Sequence, residues 1–185
     1  GSDSIDLAWT PKAEGAKGLT ALASVEATHE YAVEPGVLRT KVGMTYSVSR
    51  APVEHLLLRI PATQRVVNVF DQNVREWSVE KSDDGQQIRV ELFEPVEGNV
   101  TLSVELEEFF EGETVDLPTV HAVDAARQRG LALVSVDEGL RAEVESRRGV
   151  TQVAPGEWEG RNQKPPFDFS YRYATVPFEL ILTVK

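Results

Sequence analysis

The stretch "VTLSVELEEF", residues 100 to 109, decides the fold class of this chain. Its apolar residues Val100, Leu102, Val104 and Leu106 alternate strictly with polar ones. Because successive side chains of an extended chain point to opposite faces, this alternation predicts a β-strand with one buried and one wetted face. A sheet made of such strands is covered by the rest of the protein on one side only.

The same two-residue period recurs on both sides of this stretch. Residues 21 to 33 predict one strand, and the turn formers Pro35 and Gly36 follow it. The next strand, the stretch "VEHLLLRIP" and the last strand also carry apolar faces. The stretch "VEHLLLRIP" is apolar on both faces, which is typical of a strand buried on two sides. The predicted inward residues are Ala23, Val25, Ala27, His29, Tyr31, Val33, Leu38, Val42, Met44, Tyr46, Val48, Phe178, Leu180, Leu182 and Val184.

Turn residues separate the predicted strands at short intervals. Asp71 to Asn73 divides "QRVVNVF" from "VREWSVE" as in a hairpin, and Asp83-Asp84-Gly85 supplies another tight turn. About ten or more short strands of this kind would leave an apolar face exposed to water in a single open sheet, so the pattern predicts an all-β, antiparallel β-sandwich of ordinary or enlarged size. We expect a tag remnant and extension at 1–20 and one β-sandwich domain at 21–185.

The segment from Glu108 to Gly130 has two interpretations. Thr119 could cap one short helix over 119–129 that Gly130 closes, or the segment could continue the strands. We favour strands, because "LALVSV" follows Gly130 at once and "DEG" turns it into "LRAEVES", as in continuous hairpins.

The aromatic run "PPFDFSYRY", residues 165 to 173, suggests either a core wall or a binding platform. Its rings, Phe167, Phe169, Tyr171 and Tyr173, occupy every second position. Leaving four such rings exposed to water would lose on the order of 6 to 12 kcal/mol of hydrophobic stabilisation, whereas the stability of a whole domain is about 5 to 15 kcal/mol. This comparison favours the core. The alternative is a platform that stacks on a sugar or binds a peptide.

Trp158 is the strongest single candidate for a ligand contact. It lies in the polar stretch "APGEWEGRNQ", where no alternation directs it inward. A loop tryptophan can stack on a sugar ring, or it can fold down over the end of a sandwich and gain a large buried area. The candidate ligand-binding residues are therefore Trp158, Phe167, Tyr171 and Tyr173.

Composition excludes several classes of partner. The net charge of −11 repels nucleic-acid backbones and anionic membranes, so we expect no nucleic acid and no direct membrane contact by this segment. With no cysteine, the chain has neither disulfides nor thiolate metal sites.

Signals for catalysis are missing from the sequence. Gly-x-Ser-x-Gly and phosphate-binding glycine loops do not occur, and the three histidines lack metal-binding spacing. The carboxylates of "EEFFEGETVD" fit a solvated loop better than a calcium site, and nothing selects a glycosidase pair. We therefore expect no enzyme, no metal and no cofactor, with His29 as a hydrogen-bonded core histidine.

The strand and turn pattern of "LRIPATQRVVNVFDQNVREWSVEKSDDGQQIRVELFEPVEGNVTLSVELE" and of "VPFELILTVK" resembles a β-sandwich module of large, uncharacterised bacterial cell-envelope proteins. In such modules a hydrophobic strand ends in a proline, and a hairpin, a Pro-Val turn and a long alternating strand follow. The resemblance covers about half of the chain and brings no catalytic residues. It implies an extracytoplasmic location, in the periplasm or at the cell surface.

Three functional hypotheses follow. The first is a non-catalytic module of a larger exported or membrane-anchored bacterial protein, a spacer or interaction surface whose partners are other domains of the parent protein or envelope proteins. The second is a carbohydrate-binding module that uses Trp158 and the nearby aromatic residues. The third and lowest-ranked is a glycosidase- or lyase-like enzyme, which needs a deep cleft with two carboxylates or a metal.

Overall fold

A computed structural model describes residues 19–154 and 167–185, and in these ranges the chain forms strands and no helix. The all-β prediction is confirmed. The strands are β1 (Leu22–Glu34), β2 (Val37–Ile60), β3 (Arg65–Phe70), β4 (Val74–Ser82), β5 (Gly85–Phe109), β6 (Thr114–Asp116), β7 (His121–Ala122), β8 (Ala125–Val136), β9 (Ala142–Arg148), β10 (Val150–Gln152), β11 (Phe169–Tyr173) and β12 (Glu179–Val184).

The strands make two sheets. In the larger, nine-stranded sheet the order is β10-β11-β8-β1-β2-β5-β3, with β4 on β5 and β7 on β2. The smaller sheet has the order β6-β12-β9. Most pairs are antiparallel, but β1 and β8 run parallel, so the larger sheet is mixed where a purely antiparallel one was predicted. A parallel pair needs a long crossover, and the chain from β2 to β7 provides it.

Two long strands, β2 and β5, bend so that the sheet they form folds back on itself. Their register shifts between Val48 and Val53, close to Arg50 at φ 72° and Gly98 at φ 100°. The early half of β2 pairs with the late half of β5, and the late half of β2 with the early half of β5. Buried residues from both halves join in one cluster, for example Met44 with Leu58, so the halves pack against each other.

A second buried cluster lies between the smaller sheet and the β11-β8-β1 side of the larger one. It combines Tyr31 and Val134 of the larger sheet with Leu180 and Leu182 of β12. The inward residues predicted for β1, for the early half of β2, for residues 100 to 106 and for the last strand are all buried, which confirms the alternation.

The 119–129 region contains β7 and the start of β8 instead of a helix, which confirms strands there. The hairpin expected between β8 and β9 is wrong, because the two strands lie in different sheets. Gly130, which would have closed that helix, lies inside β8 opposite Ala27. A Cβ at Gly130 would be 1.6 Å from the carbonyl oxygen of Ala27, so only glycine allows the two strands to approach this closely.

Candidate functional site: a groove on the open sheet face

One face of the larger sheet points away from both buried clusters, and we call it the open face. It carries Glu30 on β1, Arg39 and Lys41 on β2, and Glu105 and Glu107 on β5. These are the polar positions of the predicted alternation. The register places Lys41 directly between Glu30 and Glu105, and it places Arg39 opposite Glu107.

A groove of about 490 Å³ lies on the open face across β1, β2 and β5. The five charged residues above are among its lining residues. Val67 of β3 and Phe167, which precedes β11, lie at its two sides. The volume is within the range of about 300 to 1,000 Å³ that is usual for small-molecule sites. The groove is therefore the candidate functional site.

Ion pairs hold the arginine at one end of the groove. The Nη1 atom of Arg39 lies 2.7 Å from Oε2 and 2.8 Å from Oε1 of Glu34, and its Nε atom lies 3.5 Å from Oε2 of Glu107. On the other side of Glu107, Arg65 approaches Oε1 at 4.0 Å. Such exposed pairs contribute little to folding stability, about 0 to 1 kcal/mol each. Here they place the Arg39 side chain between the carboxylates of Glu34 and Glu107.

A buried polar cluster lies beneath the sheet and has a structural role. His29 is fully buried, and its Nε2 atom accepts a hydrogen bond of 3.1 Å from the backbone N–H of Val120. Gln128 accepts from the N–H of Ala122 and donates to the carbonyl of Val120, both at 2.8 Å. These bonds attach the chain on both sides of His121 to the sheet.

The surroundings of His29 are aromatic, and they keep the imidazole neutral. The rings of Tyr31, Tyr173 and Phe178 lie with their centroids 5.5 to 6.0 Å from that of His29. Burial lowers the pKa of His29 from 6.5 to about 3. The prediction of a hydrogen-bonded core histidine is confirmed.

The four rings of the aromatic run separate into two groups. Tyr171 and Tyr173 are buried in the second cluster, and the hydroxyl of Tyr173 donates to the carbonyl of Ala27 at 3.2 Å. Phe167 and Phe169 are half-buried. Of the proposed stacking residues, Phe167 therefore lines the groove, the two tyrosines have core positions, and Trp158 lies outside the described residues.

The sequence interpretation did not identify the charged floor of the groove. The alternation in the sequence places Arg39, Lys41, Glu105 and Glu107 at outward positions but does not relate them to one another. Opposite charges at outward positions of successive strands were the available signal, because antiparallel pairing brings such positions side by side. The register that decides which charges meet was not readable from the alternation.

In the described ranges, no group of three or more His, Cys, Asp or Glu side chains is arranged to hold a metal ion. The same ranges contain no helix that could cross a membrane.

Comparison with known proteins gives a likeness of fold. No family model matches the chain, and no curated protein matches it. Among solved structures, an M1 zinc metallopeptidase mutant from Deinococcus radiodurans bound to a Tyr-Ser-Ala substrate is similar, with TM-score 0.51 and 15% identity over 87% of this chain and 42% of that one. A two-domain M1 zinc metallopeptidase mutant bound to L-tryptophan has TM-score 0.50 and 14% identity over the same shares.

A third similar structure is the native leukotriene A4 hydrolase of Saccharomyces cerevisiae. Its TM-score is 0.52, and it is 11% identical over 88% of this chain and 29% of its own. The chain thus spans less than half the length of each of these enzymes, and at such low identity the likeness concerns the fold alone.

Proposed function

We propose that this chain is a non-catalytic β-sandwich domain of a larger exported or membrane-anchored bacterial protein, in which it serves as a spacer or as a surface for contact with other domains or envelope proteins. One observation carries the proposal. The chain is similar in fold to a part, less than half, of several larger proteins, one of which is described as two-domain. It also contains two buried clusters of its own. A unit with its own cores can fold as a separate domain.

The names of the similar structures suggest one kind of parent protein, a multidomain hydrolase. In such a protein this chain would be an accessory part. The groove carboxylates support that role, because Glu107 is paired with Arg39 and Arg65 while Lys41 lies between Glu30 and Glu105. A glycosidase instead needs two carboxyl groups that face each other across the scissile bond.

The natural full-length gene product and the isolated domain together test the proposal. The isolated domain should unfold cooperatively and should not hydrolyse aminoacyl-p-nitroanilides with or without zinc. In the full-length protein, amine-reactive cross-linking and mass spectrometry should connect Lys41, Lys81 or Lys185 to residues of another domain. A natural product that consists of this segment alone without an export signal, or zinc-dependent hydrolysis by the isolated domain, contradicts the proposal.

Carbohydrate binding is a second candidate, and the position of Phe167 favours it. Phe167 was predicted from the aromatic run to stack on a ligand, and in the structure it lines the groove beside charged side chains. Tyr171 and Tyr173 are covered, so the stacking candidates that remain are Phe167 and Trp158. Binding of polysaccharides in calorimetric titrations, and its loss in Trp158→Ala, would support this candidate.

A further inference from the structure

We propose that the groove on the open face binds a short, uncharged oligosaccharide. This inference rests on the carbohydrate-binding candidate above and gives it a position and a ligand chemistry. The contacts would come from Lys41, Glu30 and Glu105 on the floor and from Phe167 at one side.

The floor offers donors and acceptors in alternation. Glu30, Lys41 and Glu105 lie in one row across β1, β2 and β5, so an ammonium group has a carboxylate on either side. Carboxylates only accept hydrogen bonds and the ammonium group only donates them. Each hydroxyl of a sugar does both, so neighbouring hydroxyls can donate to a glutamate and accept from Lys41. Hydrogen bonds in which one partner is charged are stronger than those between neutral groups.

The balance of charge on the floor favours an uncharged ligand. Lys41 and Arg39 alternate with Glu30, Glu105 and Glu107, so each cation has an anion beside it on the neighbouring strand. A phosphate or a polyamine would meet a repelling group beside each attracting one, and the overall charge of −11 adds repulsion for anions. A neutral polyol incurs no such repulsion.

The backbone beneath the groove argues against an extended peptide. β1 is paired with β8 and β2, β2 with β1 and β5, and β5 with β2 and β3, so the floor strands have neighbours on both sides. A peptide that binds by strand addition needs an open sheet edge. A ligand in the groove is therefore recognised by side chains and not by backbone groups. This suits a ligand whose polar groups point outward from a ring.

The side of the groove supplies an apolar contact. Phe167 is half-buried there, with Val67 on the opposite side. A sugar ring has an apolar C–H face that can lie on an aromatic ring, while its hydroxyls reach the floor. The volume of about 490 Å³ suits a short oligosaccharide that is held inside the groove.

The test is calorimetric titration of the protein with cellotetraose, xylotetraose, mannotetraose and chitotetraose, and with tetragalacturonic acid as the acidic counterpart. At least one neutral tetrasaccharide should bind, and the acidic one should not. Phe167→Ala and Lys41→Met should each weaken the binding by about tenfold or more. Phe109→Ala is the matched control, because this ring is 73% exposed two residues beyond Glu107 on the same face and does not line the groove.

A second measurement keeps the test decisive if a variant folds poorly. Amide chemical-shift changes on adding the neutral tetrasaccharide to the unaltered protein should cluster at Glu30, Lys41 and Glu105. Absence of binding by every neutral tetrasaccharide overturns the inference and leaves the accessory-domain proposal standing. Binding that Trp158→Ala abolishes, while Phe167→Ala and Lys41→Met leave it intact, also overturns it but keeps carbohydrate binding as a function.

Discussion

His29 illustrates how one polar side chain is accommodated in an aromatic core. Its Nε2 atom accepts the Val120 N–H, so the neutral ring carries its proton on Nδ1, a buried atom for which the described residues provide no hydrogen-bond partner. Protonation of Nε2 would remove the acceptor and bury a charge at once. The residue therefore links folding stability to pH.

The pH dependence due to His29 has a definite sign. Its pKa falls from 6.5 to about 3 on folding, so between these values the unfolded chain binds more protons. This contribution to stability is complete above pH 6.5 and is lost as the pH falls towards 3, by up to about 1.4 kcal/mol per pH unit.

Urea unfolding from pH 7 to 4, compared with His29→Gln, measures this contribution. The glutamine oxygen can still accept from Val120 but does not titrate, so the variant should lose less stability over this range. The comparison also cancels the contributions of other titrating groups to the pH dependence of stability. Burial raises the pKa of Asp116, for example, so its contribution changes with pH in the direction opposite to that of His29. Equal slopes for both proteins would show that His29 does not carry the effect.

At the scale of strands, the alternation predicted correctly which face of a strand is buried, but it did not predict which strands lie next to each other in the sheet. The residues predicted inward on β1 are buried because burial follows the period of the strand itself. The partner of a strand depends on contacts distant in sequence, so the parallel neighbour β8 was not predicted. The stretch 53–61, expected to be buried on both sides, is buried mainly at Leu56, Leu58 and Ile60, because its other face carries His55 and Arg59.

The candidate site was predicted in part for the same reason. Phe167 was identified because aromatic residues at every second position are visible in sequence. The floor residues were not, because Lys41 and Glu105 are 64 positions apart and meet only through the register of β2 with β5. Gly130 was weighed as the end of a helix because sequence alone does not distinguish a glycine that closes a helix from one needed for close strand contact.

The contact of β1 with β8 yields a prediction at this scale. Gly130→Ala should destabilise the protein by about 3 kcal/mol or more, because its Cβ would be 1.6 Å from the Ala27 carbonyl oxygen and the strands would have to separate. Gly43→Ala is the matched control, since a Cβ there has no atom within 4 Å. Its effect should be within about 1 kcal/mol. Urea midpoints of both variants provide the measurement, and similar values for the two would refute the close approach.

At the scale of the whole molecule, the two buried clusters share the same strands. β1 contributes Val25 to the first cluster and Tyr31 to the second, while β2 contributes Met44 to the first and Leu38 to the second. A strand cannot leave one cluster without disturbing the other. We therefore expect both clusters to unfold in a single cooperative transition.

Leucine truncation in each cluster tests this coupling. Leu58 in the first cluster and Leu182 in the second are both fully buried, and replacing either by alanine should cost about 2 to 5 kcal/mol. If the clusters are coupled, Leu182→Ala lowers the native-state hydrogen-exchange protection of the Leu102 amide in the first cluster as much as that of the Leu180 amide in the second. Loss of protection confined to the smaller sheet would instead mean that β6, β9 and β12 open on their own, and the larger sheet would then be the stable unit that carries the groove.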